Sequence, residues 1–338
     1  MRVGDATALR RASRHVLPVL ALGARRALRR KSPFQMTLSL TNRCNFRCDY
    51  CHIPLQHLDE MDTAAWRAAI DDLRAAGMGR ASLIGGEPML RKDLGALVAH
   101  LALRGVHASM NTNGWFVAER LDELAGLDLA CVTLDGPEAL HDRQRHRGSY
   151  QRALGALEAL RGRGVQAVTM TVVTADGADH ADHVLDVARR FGIRAWFQLE
   201  HDARMEVSLP IAPALRQQRV AAFAEHLLAR KREGLPVGNS VAALETQARR
   251  RTLLDCEGCH AGSYYGYVFA DGTVSHCLFT RAQVPAGNGR AQGFANAFEA
   301  LAPPVGGGCA CVPSYEVNRL LDLDPRLLFS ALDVVLRR

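Results

Sequence analysis

Three cysteines with metal-ligand character stand on one short segment: Cys44, Cys48 and Cys51. The segment follows an apolar, strand-like stretch, so the three thiols share one loop. Three thiolates on one loop can bind three irons of a cubane iron–sulfur cluster and leave the fourth iron open for another ligand. The alternatives are three unligated core thiols or a zinc site, but zinc prefers four closed ligands, and the adjacent His52 is badly placed to complete the set. We therefore predict a cluster with one open iron.

The other cysteines of the 338-residue chain also group by position. The total of nine is odd, which argues against a complete disulfide framework. Cys131 stands alone inside a predicted strand and is interpreted as a core thiol, because free cysteine packs as a small apolar residue. The remaining five lie near the C-terminus: Cys256, Cys259, Cys277, Cys309 and Cys311. Grouped thiols at short spacings indicate metal ligation in a reducing compartment.

Polar and glycine-rich motifs follow several of the predicted strands. Glycines allow a backbone to approach a ligand closely, and the carboxylate of Glu87 can pair with an ammonium group. Asn-Gly and Asp-Gly are also ordinary turn sequences, so each motif alone is compatible with a plain turn. The motifs are Gly85-Gly86-Glu87-Pro88, Thr112-Asn113-Gly114 and Asp135-Gly136.

The elements that must position these motifs alternate between strand and helix patterns. Strands are predicted at 35–40, 81–84, 107–111, 130–134, 167–173 and 195–199. Helices are predicted near 62–76, 91–104, 117–125, 149–163, 180–191, 213–233 and 239–254, with a closing helix near Tyr315. Six β/α repeats imply a parallel sheet with right-handed crossovers, and chemistry at the carboxyl ends of its strands.

The cysteine spacing, with Tyr50 directly before the last thiol, resembles the radical S-adenosylmethionine (SAM) superfamily, and so do the strand-end motifs in their order. In that family the open iron of a [4Fe–4S] cluster chelates SAM, and electron transfer breaks the sulfonium to give a 5′-deoxyadenosyl radical. The resemblance covers about residues 35–200. It implies these SAM-binding residues: Tyr50, Gly85, Gly86, Glu87, Pro88, Asn113, Asp135 and Thr171.

Two positions depart from the family pattern. The family often has serine before the Asp-Gly of strand four, where Thr133 and Leu134 stand here. It usually has asparagine after strand five, where this chain has Thr174 to Asp176. The ribose contacts of SAM therefore stay open, with Thr171 and Asp176 as candidates.

The C-terminal cysteines resemble the SPASM and Twitch extensions of the same family. Cys259 is followed by twelve residues, Gly272, four residues and Cys277, with a hairpin turn at Asp271-Gly272. The resemblance implies one auxiliary [4Fe–4S] cluster on Cys259, Cys277, Cys309 and Cys311, with Cys256 either replacing Cys259 or being an exposed thiol. A structural zinc ribbon is the alternative. Full ligation would favour electron transfer with the substrate over direct substrate binding.

The fold class expected is therefore α/β: a partial (β/α)6 TIM-like barrel with a small C-terminal cysteine-rich auxiliary-cluster domain. The predicted domains are a basic amphipathic arm at 1–34, the barrel at 35–205, a helical connection at 206–255, and the auxiliary-cluster domain with the closing helix at 256–338.

The charge of the chain is concentrated in the arm. Residues 1–31 carry a net charge of +8 and the whole chain carries +7, so the remaining residues total −1. A basic stripe through the folded part is lacking, so nucleic-acid binding is not inferred. Arginines interleaved with leucines and valines indicate either contact with an anionic membrane surface or a helix packed against the barrel. We expect a cytoplasmic protein, because Pro18 and Arg25-Arg26 interrupt the signal-like stretch.

The expected function is radical SAM chemistry. Hydrogen abstraction from a small molecule, in natural-product or cofactor biosynthesis, is favoured because the arm is short for a peptide-recognition domain; a peptide-modifying maturase is the alternative. A flavodoxin- or ferredoxin-type protein would donate the electron. The alternative of another class is a non-catalytic iron–sulfur electron carrier. After strand four, a polar group indicates either a solvated loop or recognition of an anionic substrate: His141, Asp142, Arg145 and Arg147.

Overall fold

The computed structural model describes residues 22–23, 25–26, 28, 30–173, 180–199, 213–250, 259–278, 287–302 and 312–322. The chain divides into two compact units. The first comprises Met1–Cys131, Glu158–Gln166 and Ala261–Pro304, and the second comprises Val132–Leu157, Ala167–His260 and Val305–Arg338.

The six barrel strands predicted from the sequence are confirmed. They are β1 (Gln35–Thr41), β2 (Arg80–Gly85), β3 (His107–Thr112), β4 (Leu129–Thr133), β5 (Gln166–Val173) and β6 (Ala195–Leu199). The pairs β1–β2, β2–β3 and β5–β6 are parallel. The fold is therefore a mixed α/β partial barrel, as the β/α repeats predicted.

The helices follow the strands in the expected alternation. They are α1 (Thr63–Ala76), α2 (Leu94–Leu103), α3 (Glu138–Gln144), α4 (Ser149–Arg163), α5 (Ala181–Phe191), α6 (Pro213–Arg232), α7 (Val241–Arg250), α8 (Gly289–Gln292), α9 (Phe294–Glu299) and α10 (Val312–Leu321). In α1, Asp62 caps the N-terminus by accepting from the Ala65 nitrogen at 2.8 Å. Trp66, Ile70 and Leu73 repeat at helical spacing and are fully buried.

The helix predicted at 117–125 is wrong; only a 3₁₀ turn forms there, at Leu121–Leu124. The guanidinium of Arg120 is held by the carbonyl of Arg91 at 2.9 Å and by the carboxylate of Glu123. Because these contacts fix the segment against the chain that follows β2, it takes a tight turn and does not continue as a helix.

In the first unit the strand order is β4-β3-β2-β1-β7-β8-β9. β7 (Tyr265–Val268) pairs parallel with β1, and β8 (Thr273–Ser275) and β9 (Gly287–Asn288) continue antiparallel. The hairpin turn expected at Gly272 forms, with a φ of +86°. The pairing of β7 with β1 was not predicted from the sequence.

In the second unit the strand order is β6-β5-β4, and a side chain completes the outer edge of β6. The amide of Asn239 accepts from the Phe197 nitrogen at 2.9 Å and donates to the Phe197 carbonyl at 2.8 Å. An exposed strand edge is a site for unwanted pairing, so this buried asparagine closes the edge as a short strand would.

The C-terminal helix α10 is fixed to α7 by polar contacts in the second unit. The buried Glu316 accepts from the Ser240 nitrogen at 2.7 Å, and the Tyr315 and Thr246 hydroxyls lie 2.7 Å apart. Burial raises the pKa of the Glu316 carboxyl, against the effect of the Ser240 hydrogen bond.

The described part of the arm contacts the body of the first unit. Leu22 is buried. Arg25 donates to the Ala76 carbonyl at the end of α1, and Lys31 donates to the carbonyls of Glu299 and Leu301, each at 2.6 Å. Cations at helix C-termini are stabilising, so these contacts favour the packed interpretation for the described residues of the arm. Residues 1–21 lie outside the described part, and no described helix is long and apolar enough to cross a membrane.

Replacing Lys31 with alanine should lower the free energy of unfolding by about 1 kcal/mol, because two carbonyls at the end of α9 lose their donor. Urea unfolding of the full chain measures this change. The exposed Lys92 provides the matched control, Lys92→Ala, which should unfold as the parent does. Equal stability of Lys31→Ala and the parent would show that the arm does not support the body.

Candidate functional site: the cysteine loop and the strand ends

The cysteine loop, residues 42–60, leaves β1 beside the end of β2. Gly86 donates its backbone N–H to the Thr41 carbonyl at 2.8 Å, and Glu87 donates to the Arg43 carbonyl at 2.9 Å. A Cβ atom on Gly85 would overlap the Thr41 carbonyl, and one on Gly86 would overlap the Arg43 carbonyl. Both glycines therefore allow the close approach of the backbone at the start of the cysteine loop. Their contact with SAM stays a prediction.

Glu87 lies in the glycine turn, residues 85–88, and its carboxylate is almost fully buried. One oxygen accepts from the Met89 nitrogen at 3.1 Å and from the Thr112 hydroxyl at 2.9 Å, and the other accepts from the Asn113 nitrogen at 2.8 Å. The carboxylate thus connects the ends of β2 and β3. Its predicted pairing with the SAM ammonium stays a prediction, and any such contact shares the carboxylate with three protein donors.

The end of β3 also holds the segment between the first two cysteines. Asn113 donates its side-chain N–H to the Asn45 side-chain oxygen at 2.8 Å and accepts from the Trp115 nitrogen at 2.9 Å. The rings of Phe46 and Trp115 meet edge to face with centroids 5.6 Å apart. Asn113, predicted to bind SAM, therefore lies against the cysteine loop.

The three cysteines themselves are half-buried, as is Tyr50. The Phe46 nitrogen donates to the Cys44 sulfur at 3.4 Å, and the Cys51 nitrogen donates to the Cys48 carbonyl at 3.0 Å. Within the described residues, no three cysteine, histidine or carboxylate side chains are close enough to hold a metal. The donor set still fits an iron–sulfur cluster, because three thiols stand on one accessible loop and cysteine thiolates are the usual ligands of such clusters.

Asp135 and Thr171, also predicted to bind SAM, make internal contacts in the second unit. The buried Asp135 carboxylate pairs with Arg145 at 2.5 Å and accepts from the Val172 nitrogen at 3.0 Å. The Thr171 hydroxyl donates to the Leu134 carbonyl at 2.7 Å. Both side chains join the ends of β4 and β5. Thr174 and Asp176 lie outside the described residues.

His141 is fully buried below the end of β4. Its Nδ1 accepts from the Asp135 nitrogen at 3.1 Å, so the proton of the neutral ring is on Nε2. That Nε2 has no hydrogen-bond partner among the described residues. Burial, with the nearby Arg145 charge, lowers the pKa of His141 to about 4. The ring is therefore neutral at neutral pH.

The polar group after strand four is largely internal. Asp142 accepts from the Gly148 nitrogen at 2.5 Å and the Tyr150 nitrogen at 2.9 Å. These hydrogen bonds lower the pKa of Asp142 although burial alone would raise it. With His141 buried and Arg145 paired to Asp135, Arg147 is the exposed member. The geometry fits neither a fully solvated loop nor an anion site built from all four residues.

The second cysteine group is only partly described. Cys259 and Cys277 are half-buried and belong to the second and first units respectively. His260, next to Cys259, donates its backbone N–H to Asn318 at 2.8 Å, and its ring contacts Asp322 at 2.7 Å. Cys256, Cys309 and Cys311 lie outside the described residues. Cys131 is buried, as predicted, and burial raises its pKa to about 12.

Sequence reasoning missed several residues that hold the cysteine loop. Asn45 bonds to Asn113, and the ring of Trp115 packs against Phe46. Glu60 and Arg91 bind the two ends of the loop. A charged residue inside a predicted loop or after a turn carries no sequence signal for such contacts, since most charged side chains are solvated.

Gly86→Ala should lower the free energy of unfolding by about 1–3 kcal/mol, the usual cost of overpacking, because the added methyl group meets backbone atoms that cannot rotate away. Urea unfolding measures the change. The matched control is Gly155→Ala in α4, where an added Cβ meets nothing within 4 Å. The control should be neutral or stabilising; an equally small effect at Gly86 would contradict the close approach of the two backbones.

The buried His141 should make stability fall as the medium is acidified. Its pKa is depressed in the folded chain, so the unfolded chain binds the proton first, and stability is lost as pH falls from 6.5 towards about 4. His141→Asn keeps an acceptor for the Asp135 nitrogen but does not titrate. When the pH is lowered from about 7.5 to about 5, the free energy of unfolding should fall in both proteins. The fall should be roughly 2 kcal/mol smaller in His141→Asn than in the parent.

Urea unfolding at the two pH values measures that difference. The exposed His146 gives the control variant, His146→Asn, which should retain the full acid sensitivity of the parent. An unchanged pH dependence in His141→Asn would show that this imidazole is not the buried titrating group.

The Radical SAM superfamily profile matches residues 38–188. The PqqA peptide cyclase of Xanthomonas campestris pv. campestris (strain B100) is 34% identical over 149 residues, 42% of this chain and 40% of that protein. The Fe-coproporphyrin III synthase of Methanosarcina barkeri is 33% identical over 136 residues, 38% of this chain and 34% of that protein. The match thus spans well under half of the length of either relative.

Among solved structures, Streptococcus suis SuiB bound to precursor peptide SuiA superposes with a TM-score of 0.66 at 12% identity. The superposition covers 81% of this chain and 66% of that one. At this identity the likeness concerns the fold alone. The profile match begins within β1 and ends within α5, and it contains both the cysteine loop and the glycine turn. Residues 38–188 of this chain therefore match the radical SAM superfamily.

Proposed function

We propose that this protein cleaves SAM reductively and uses the resulting radical to modify a peptide. The observation that carries the first part is the pairing of a three-thiol loop with the Gly85–Pro88 motif inside the matched domain. A cluster on Cys44, Cys48 and Cys51, when bound, supplies the electron and the open iron that holds SAM. The remaining work of positioning falls to the chain's own residues.

The glycine turn and the end of β3 are the parts of the chain best placed to orient SAM. Gly86 and Glu87 fix their backbone N–H groups on the start of the cysteine loop, and Glu87 fixes the position of Asn113. Asn113 in turn contacts Asn45 between the first two cysteines. A ligand on the open iron would therefore meet groups whose positions are tied to the thiols, which is what reactive geometry requires.

The choice of a peptide rests on the relatives. One is named a PqqA peptide cyclase, and SuiB, which shares the fold, has been solved with a precursor peptide. A small-molecule substrate was favoured from the sequence, and the Fe-coproporphyrin III synthase is a relative with a non-peptide name. The peptide cyclase matches with more residues and higher identity, so it supports the peptide alternative more directly.

The auxiliary cluster and the external electron donor are further parts of the proposal. Cys259, Cys277, Cys309 and Cys311 would hold a second [4Fe–4S] cluster, with Cys256 as the substitute for Cys259. Four thiolates would complete its ligation and suit it to accept or donate an electron. A flavodoxin- or ferredoxin-type protein would reduce the SAM-binding cluster.

Hydrogen abstraction from a peptide can be tested without knowing the sequence of the substrate. The anaerobically reconstituted full chain is incubated with SAM, dithionite and either of two fractions of a fully deuterated bacterial extract. One fraction is a proteolytic digest of its protein, and the other contains its small metabolites. Because the radical removes a hydrogen atom from the substrate, mass spectrometry should find deuterium in 5′-deoxyadenosine with the peptide fraction.

The control is the variant with Cys44, Cys48 and Cys51 all replaced by alanine, which should form no 5′-deoxyadenosine. The same variant should keep about four irons if the auxiliary cluster is present. Deuterium transfer from the metabolite fraction alone would favour the small-molecule alternative. Formation of 5′-deoxyadenosine by the triple variant would contradict radical SAM chemistry at this loop.

A further inference from the structure

The two ends of the cysteine loop meet at the carboxylate of Glu60. One oxygen accepts from the Thr41 hydroxyl at 2.7 Å and from the Asn42 nitrogen at 2.8 Å. The other lies 3.4 Å from the guanidinium of Arg43. The Glu60 side chain is 18% exposed and that of Arg43 is 64% exposed. The ion pair is screened by water and adds little, so the two hydrogen bonds are the contacts that close the loop.

The same two ends meet again at Arg91. One terminal nitrogen of its guanidinium donates to the Leu40 carbonyl and to the Met61 carbonyl, each at 3.0 Å. Leu40 precedes the loop and Met61 follows it. Arg91 is 6% exposed, and the two oxygens of Asp93 hold its other nitrogens at 2.9 and 2.7 Å. The fork geometry fixes the guanidinium against both carbonyls.

Glu60 and Arg91 also connect the cysteine loop to the glycine turn. Thr41, whose hydroxyl contacts Glu60, accepts at its carbonyl the Gly86 N–H. Arg91 stands three residues after Pro88, and its own N–H donates to the Pro88 carbonyl at 3.0 Å. Each of the two charged residues therefore touches the base of the loop and, directly or through Thr41, the turn that would face SAM.

We propose that Glu60 and Arg91 are positioning residues for SAM cleavage. They close the base of the cysteine loop and set its register against the glycine turn. Neither residue belongs to the cysteine motif or to the glycine motif. The inference rests on the proposed SAM chemistry for its consequence, but the closure of the loop rests only on the contacts above. A loop that is already ordered loses less conformational entropy when its ligands bind, so binding is tighter.

Two substitutions at Glu60 distinguish the effect of its hydrogen bonds from the effect of its charge. Glu60→Gln keeps an amide oxygen that can accept from Thr41 and Asn42, and loses the charge. Glu60→Ala loses both. If hydrogen bonds position the loop, the glutamine variant behaves like the parent and the alanine variant does not. Glu158→Ala is the matched control, because Glu158 is an exposed helix residue paired to Arg161.

The full chain and the three variants are reconstituted anaerobically, and two quantities are measured. The first is the rate at which an iron chelator removes iron. The second is the SAM concentration that gives half-maximal 5′-deoxyadenosine formation, with the maximal rate recorded separately. In Glu60→Ala, the rate of iron release and the half-maximal SAM concentration should each be roughly tenfold higher than in the parent. This is the scale of effect seen when residues that orient metal ligands are removed. Glu60→Gln and Glu158→Ala should match the parent.

Arg91→Lys is the second variant. It tests the proposal even if the loop rearranges to compensate for the loss of the Glu60 side chain. Lysine keeps the positive charge but cannot form the fork with Asp93 while contacting two carbonyls, so iron release should again accelerate. Parental values for both Glu60→Ala and Arg91→Lys would overturn the proposal, and so would a glutamine variant as impaired as the alanine one. Iron release needs no SAM cleavage, so failure of the proposed function is seen separately, as absence of 5′-deoxyadenosine from the parent.

Discussion

The close approach of two backbones, at the end of β2 and the start of the cysteine loop, is the constraint on which the site depends. Gly85 and Gly86 allow it, because a side chain on either would overlap a carbonyl of Thr41 or Arg43. The register between β1 and β2 is irregular between Ser39 and Thr41, just before the contact. The irregularity brings Thr41 opposite Gly85, so the last pair of the ladder leads directly into the contact. The position of the cysteine loop is therefore coupled to the position of the glycine turn.

Much of the fold could be predicted from the sequence, because local patterns determined it. The short apolar runs predicted all six barrel strands, and the periodic helices followed between them. The pairing of β7 with β1 could not be predicted, since the two strands are more than two hundred residues apart and only tertiary packing brings them together. Gly266 in β7 shows what that packing demands: a Cβ there would lie 2.9 Å from the Phe298 ring.

The site was predictable in its motifs and not in its contacts. The cysteine loop and the glycine turn could be recognised in the sequence, because cysteine and glycine have few alternative roles at such spacings. Glu60, Arg91 and Trp115 have none, because a carboxylate, a guanidinium and an indole serve many purposes and their partners are backbone atoms or distant rings. Glu87 and Asp135 were identified as ligand groups, but the structure places protein donors around both carboxylates.

That result has a common physical cause at the strand ends. Where a parallel strand ends, its backbone groups lose their ladder partners, and a buried N–H or C=O without a partner is costly. Glu87 accepts the Asn113 N–H, and Asp135 accepts the Val172 N–H. Polar residues at these positions are therefore needed by the sheet itself. A strand-end carboxylate in this fold is consequently weak support for a ligand contact until its backbone partners have been assigned, whereas three thiols on one short loop are the donor set typical of an iron–sulfur cluster.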